Sequence, residues 1–242
     1  MNLKDIRLFL FDMDGTIYLG YDLFPFTKKL LETIRAQGKR YIFMTNNSSM
    51  NVEAYVEKMR KLGIETTTDD FLTSSQVTAM YLSENLAGKK IYASGTKSFV
   101  EELSTSKAII TEEYSEDIEG VVMGYDTELT YKKLWNISKI LTEKDVPYIA
   151  ANPDLVCPTE FGAMPLFAIS KMAELDPSIS VDTTLVIGDR LYTDIACGLR
   201  AGAHTLLVFS GETTPEQAEK SEFRAEFKMQ DCGELLKILE GN

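Results

Sequence analysis

Two acids stand two residues apart where an apolar run stops: Leu8-Phe9-Leu10-Phe11 leads into Asp12, Met13, Asp14, Gly15 and Thr16. A carboxylate is costly to bury without a partner. Two at one strand end invite a hard cation that prefers oxygen ligands, most simply Mg²⁺. Asp and Gly also favour plain turns, so this stretch alone leaves both readings open. The run 40–45, RYIFMT, ends in Thr45 and then Asn46, Asn47 and Ser48. The run 184–189, TLVIGD, ends in Gly188 and Asp189, with Asp194 shortly after. If these three strands are neighbours in one parallel sheet, their polar ends converge beyond its carboxyl edge, where ligands of open α/β sheets bind. Acids there hold a cation. Hydroxyl, amide and free backbone N–H groups hold a phosphate. A carboxylate facing phosphorus can act as nucleophile and form an aspartyl-phosphate. The lesser reading of Asp194 is an acid placed to favour a helix N-terminus.

The elements needed to bring these ends together are legible. A short unbroken apolar run bounded by polar residues reads as a strand buried on both faces. Helical spacing covers 27–37, stopped at Gly38, and 52–62, stopped at Gly63. Further on, strands are expected at 90–93, 108–110, 120–123, 148–151 and 205–209. Helices are expected at 74–86, 131–141, 164–175, 192–200, 215–219 and 234–239. Strands alternating with helices over short links make an α/β protein with a parallel sheet. Trp135, Ile137, Ile140 and Leu141 read as a core-facing stripe on their helix.

Composition narrows the function classes. A chain of 242 residues fits one large domain or two modest ones. A formal charge of −12 argues against a broad basic surface for nucleic acid or anionic membrane. Cys157, Cys197 and Cys232 are odd in number and widely spaced, which fits neither a disulfide framework nor paired zinc ligands. They read as thiols in a reducing compartment, so a cytoplasmic location is expected. Charge within residues 1–7 argues against a signal peptide, and no apolar run approaches a membrane span. The only histidine, His204, reads as a loop or strand-edge residue. That sets aside a His-dependent triad and a multi-His metal site.

Asp12-Met13-Asp14-Gly15-Thr16, Thr45-Asn46-Asn47-Ser48 and Gly188-Asp189-Arg190-Leu191-Tyr192-Thr193-Asp194-Ile195 resemble motifs I, II and IV of the haloacid dehalogenase (HAD) superfamily. TNNS, the ANPD of 151–154 and GDRLYTDI resemble its NagD-like branch, the 4-nitrophenylphosphatase-like or acid sugar phosphatases. The resemblance spans almost the whole chain. It implies a Rossmann-like core of 1–75 and 165–242 with an inserted smaller α/β cap of the C2 type over 76–164, closing over the site and choosing the substrate. It implies a Mg²⁺-dependent phosphatase of small phosphate monoesters, of the sugar phosphate, nucleotide or 4-nitrophenyl phosphate type. By the same resemblance Asp12 attacks phosphorus and Asp14 serves as acid and base. Asp12, the Asp14 backbone carbonyl and Asp189 hold Mg²⁺, and Asp194 contacts the metal from outside or through water. Thr45 and Asn46 take phosphoryl oxygens, and Asn152 and Asp154 are the cap positions facing substrate. A homodimer through the cap is compatible with it.

One part of the pattern is missing. The family carries a motif III lysine in a Gly-Lys-Pro context, and Met164-Pro165 falls where Lys-Pro is expected. About one βα unit is absent between Phe161 and Leu166, which shortens the end of the cap. Lys171, the nearest lysine, lies along the following helix. An impaired phosphatase, a protein that binds a phosphorylated ligand without efficient turnover and a phosphotransferase are the alternatives.

Overall fold

The computed structural model describes residues 2–151 and 163–241. Its central strand is β1 (Leu8–Phe11), four apolar residues in a row, all fully buried. Side chains alternate across a strand, so four buried in succession require cover on both faces. Each such burial contributes about 1.5–3 kcal/mol. A short antiparallel hairpin follows, β2 (Tyr18–Leu19) and β3 (Asp22–Leu23), then α1 (Thr27–Ala36), β4 (Arg40–Thr45), α2 (Val52–Lys61) and β5 (Phe71–Thr73). Next come α3 (Ser74–Asn85), β6 (Lys90–Ser94), α4 (Lys97–Leu103), β7 (Ile109–Thr111), β8 (Gly120–Met123), α5 (Tyr131–Glu143) and β9 (Tyr148–Ala150). The chain continues through α6 (Ala163–Ala173), β10 (Thr184–Gly188), a π-helical turn Leu191–Ile195 and α7 (Ala196–Ala201). It closes with β11 (His204–Val208), α8 (Pro215–Lys220), β12 (Phe227–Met229) and α9 (Cys232–Glu240).

The described residues divide into two compact units, a core and a cap. The first takes its residues from Met1–Met44, Val56–Leu72 and Pro158–Asn242, the second from Thr45–Tyr55 and Thr73–Cys157.

The core is built on a sheet of strand order β12-β11-β10-β1-β4-β5, parallel in its recorded pairings. Phe11 stands level with Ile187 of β10 and with Phe43 of β4. The Asp12 N–H then donates to the Ile187 carbonyl at 2.8 Å. Asp12 therefore leaves the sheet beside the end of β10, as a Rossmann-like arrangement requires. Phe11, Phe43 and Phe71 tilt against one another across three adjacent strands. His204 begins β11, with Nδ1 2.5 Å from Glu226, which fits a strand-edge role.

The cap has its own parallel sheet, β7-β6-β8-β9. Ile91 and Ala93 pack with Phe99, Leu103 and Val122 on one face. Tyr92 and Val121 pack with Ile118, Ile137 and Ile140 on the other. That is the two-residue alternation of a strand with both faces covered. On α5 only part of the expected stripe is core: Ile137 and Ile140 are buried, whereas Trp135 is 60% and Leu141 37% exposed. At 100° per residue, Trp135 lies 200° round the helix from Ile137, so the two cannot share a face.

The cap also holds a buried ion pair. Lys133 Nζ lies 2.9 Å from Asp126 Oδ2, with side chains 17% and 3% exposed, and donates to the Gly95 carbonyl at 2.7 Å. Removing one partner of such a pair strands the other charge, at a cost of about 3–5 kcal/mol. Asp126→Ala should lower stability by that amount in chemical denaturation, and Asp126→Ala/Lys133→Met should recover much of it. No helix among the described residues is long and apolar enough to cross a membrane.

Candidate active site

The ends of β1 and β10 bring three acids together. Ligand oxygens of Asp12, Asp189 and Asp194 all lie within 4.8 Å of one another. Asp12 and Asp189 come from adjacent strand ends. Asp194 is delivered by the π-helical turn Leu191–Ile195, in the stretch where sequence spacing suggested the first turn of an α-helix. The wider turn closes with the Ala196 N–H on the Leu191 carbonyl, and π-turns of this kind are frequent at functional sites. The Asp194 carboxylate accepts from the Arg190 N–H at 3.0 Å and the Thr193 hydroxyl at 3.1 Å. It stands inside the cluster itself.

The loop after β11 completes the enclosure. The Glu212 N–H donates to Asp189 Oδ2 at 2.5 Å, the Thr213 N–H to the Asp189 carbonyl at 3.2 Å, and the Ser210 hydroxyl to the Gly15 carbonyl at 2.6 Å. Glycines make room for it. Gly15 has φ +86°, and a Cβ there would stand 2.7 Å from Asp189 Oδ2. A Cβ on Gly211 would overlap the same carboxylate. Gly211→Ala should therefore cost about 1–3 kcal/mol by overpacking and displace Asp189. Calorimetry should show a lower melting temperature and weaker Mg²⁺ binding together.

The electrostatics are those of acids crowded together under burial. Burial, reinforced by Asp194 and Asp189, holds Asp12 well above the ordinary carboxylate range. Burial, then Asp189, pushes Asp194 up to about 7. Asp189 is raised by burial, against which the Glu212 N–H and Arg190 act. Asp189 Oδ1 is buried and has no hydrogen-bond partner. Three convergent carboxylates, one with an orphaned buried oxygen, match the oxygen-donor set of Mg²⁺.

The remaining expected positions are placed as follows. Asp14 is exposed and accepts from the Gly20 N–H at 3.4 Å, within the turn of the β2–β3 hairpin. Lys58 of α2 lies over the Tyr18 and Tyr21 rings of that hairpin, at 4.0 and 5.6 Å from their centroids. Thr45 ends β4 and falls in the second unit, where its Oγ1 accepts from the Asn47 N–H at 3.2 Å and lies 3.4 Å from the Tyr55 hydroxyl. The Asn46 carbonyl, also in that unit, accepts from the Ser74 hydroxyl at 3.0 Å. Asn152 and Asp154 lie outside the described residues, as does Cys157. Lys171 is exposed and paired with Asp69 at 3.3 Å, and Met164 is buried at the start of α6.

Sequence reading passed over Arg190 and the loop 210–213. Both carried a signal. Arg190 adjoins Asp189 directly, and Ser210-Gly211-Glu212 follows an apolar run as the other polar strand ends do.

Family models match two stretches of the chain, the first running into the cap. A haloacid dehalogenase-like hydrolase model matches residues 9–107, and a HAD-hydrolase-like model matches 163–235. Among solved structures, the 4-nitrophenylphosphatase of Thermotoga maritima is 32% identical, covers 97% of this chain and 98% of its own, and superposes with a TM-score of 0.84. The chain belongs to the haloacid dehalogenase-like hydrolases. Within the family it sits in the NagD-like branch. The acid sugar phosphatase of Staphylococcus aureus is 27% identical over 98% of this chain and 100% of its own. That alignment runs over 261 positions against 242 residues here, so the relative carries residues without a counterpart in this HAD protein. The glycerol phosphate phosphatase of Mycobacterium tuberculosis, solved in complex with magnesium, shares the fold at a TM-score of 0.81 and 23% identity, over 99% of this chain and 78% of its own.

Proposed function

We propose that this HAD hydrolase is a Mg²⁺-dependent phosphatase of small phosphate monoesters, working through an aspartyl-phosphate on Asp12. The observation that carries the reading is the convergence of Asp12, Asp189 and Asp194 at the ends of β1 and β10. The names of its relatives, an acid sugar phosphatase and a 4-nitrophenylphosphatase, support the substrate class.

Asp12, Asp189 and Asp194 would hold the cation, with the Asp14 backbone carbonyl as a further ligand. Bound Mg²⁺ supplies positive charge that keeps these acids ionised and offsets the charge of the phosphoryl oxygens. The chain's own groups do the rest. An Asp12 carboxylate oxygen forms a bond to phosphorus as the ester P–O bond breaks. Asp14 gives its proton to the departing oxygen. Water then attacks the phosphorus of the acyl phosphate, Asp14 takes its proton, and Asp12 is released with inorganic phosphate. Exposure suits Asp14 to exchanging protons with the leaving group and water. Thr45 and Asn46 would hold phosphoryl oxygens, and Asn152 and Asp154 would face the substrate.

The test is phosphate release from 4-nitrophenyl phosphate and a panel of sugar phosphates, with Mg²⁺ and with a chelator, for the wild type and Asp12→Asn. Turnover that ignores both the chelator and the substitution removes the reading.

A further inference from the structure

Charge balance at the acid cluster calls for a cation that the family pattern does not provide in this chain. Three ionised carboxylates and one divalent cation leave a net charge of about −1, and a phosphate monoester arrives with its own negative charge. Met164 stands where the motif III lysine is expected, Lys171 is paired with Asp69, and residues 152–162 contain neither lysine nor arginine.

Arg190 is the basic side chain built into the cluster. Its Nε is 2.9 Å from Glu212 Oε2, and the backbone N–H of the same residue donates to Asp194 at 3.0 Å. Glu212 in turn donates its own N–H to Asp189 at 2.5 Å. The backbone N–H groups of residues 190 and 212 tie both residues to the acids, and the Glu212 carboxylate holds the guanidinium. The side chain is 39% exposed, so its remaining N–H donors can meet a ligand.

We propose that Arg190 supplies the positive charge of this site, donating to a phosphoryl oxygen of the bound ester where the family uses its lysine, with Glu212 as the residue that positions it. A planar fork of donors suits phosphate oxygens. The inference deepens the phosphatase reading and rests on it.

Two titrations by calorimetry decide it: Mg²⁺ alone, and inorganic phosphate in saturating Mg²⁺, on the wild type, Arg190→Met and Arg190→Lys. Removing a positive charge beside a cation site should leave Mg²⁺ affinity equal or higher. Phosphate affinity should fall roughly 10- to 100-fold, the range for a charge-assisted hydrogen bond. Arg190→Lys should recover part of it. A purely structural role would weaken Mg²⁺ and phosphate together, and that result overturns the proposal, as does unchanged phosphate affinity. Arg190→Gln keeps a donor for Glu212 and removes the charge and the outer donors; it decides the matter if Arg190→Met does not fold. Wild-type turnover with phosphate binding insensitive to residue 190 sinks this inference alone. Absence of turnover, with binding that depends on residue 190, sinks the phosphatase reading alone.

Discussion

Asp12→Asn should reduce phosphate release by roughly 10⁴-fold or more, the scale on which loss of a nucleophile acts, while raising the melting temperature of the metal-free protein. The two effects share one cause. Asn has the shape of Asp but no charge, so it cannot form the acyl phosphate. It also relieves the burial and the repulsion from Asp194 and Asp189 that press on the Asp12 carboxylate. A variant that had merely misfolded would lose activity and stability together. Phosphate release and differential scanning calorimetry on the same preparation separate the cases. Retention of more than about a tenth of the activity would contradict the assignment of Asp12 as nucleophile.

The second large effect is a stability that depends on pH and Mg²⁺ jointly. Asp12, Asp189 and Asp194 all titrate above their ordinary values in the folded chain. Such groups bind protons more tightly when folded than when unfolded. Their contribution to stability is fully present below the unfolded carboxylate pKa of about 4. It is lost as pH rises through the folded values, which for Asp194 is about 7. The metal-free protein should therefore weaken by a few kcal/mol between about pH 4 and pH 8. Mg²⁺ binds the ionised acids, so its stabilisation should grow over the same interval. Exposed acids act in the opposite direction: Asp117, held by Ser115 and Lys90, is lowered to about 2. Those groups contribute equally with and without metal, so the difference between the two melting curves isolates the cluster. Parallel curves from pH 5 to pH 8 would show that these acids are not the cation site.

The strands that carry the acids were readable because β1 and β10 are short unbroken apolar runs that lead into Asp12 and Asp189, a pattern that a doubly covered sheet satisfies. The β2–β3 hairpin, β5 and β12 were not: the hairpin strands have two residues each, and the three of β5 and of β12 were not singled out as runs of their own. The wrong face assigned to Trp135 came from counting apolar residues on α5 without placing them round the helix. At the site, the acids at positions 12 and 189 followed from strand ends. The Asp194 carboxylate could not be located from spacing alone, since an α-turn and a π-turn from Arg190 point it differently. The bond between Ser210 and Gly15 joins loops from opposite ends of the chain, and no local pattern announces it.

That bond and the sheet order carry a consequence for biosynthesis. β1 lies between β4, made early, and β10, made late. A nascent chain leaving the ribosome has the whole of β6 through β9 before residue 184 exists, so the cap sheet can form while β1 still lacks one neighbour. Until β10 arrives, Leu8–Phe11 presents an open, fully apolar ladder, the kind of edge that recruits other chains. Premature termination anywhere before β10 should yield inclusion bodies instead of a soluble fragment.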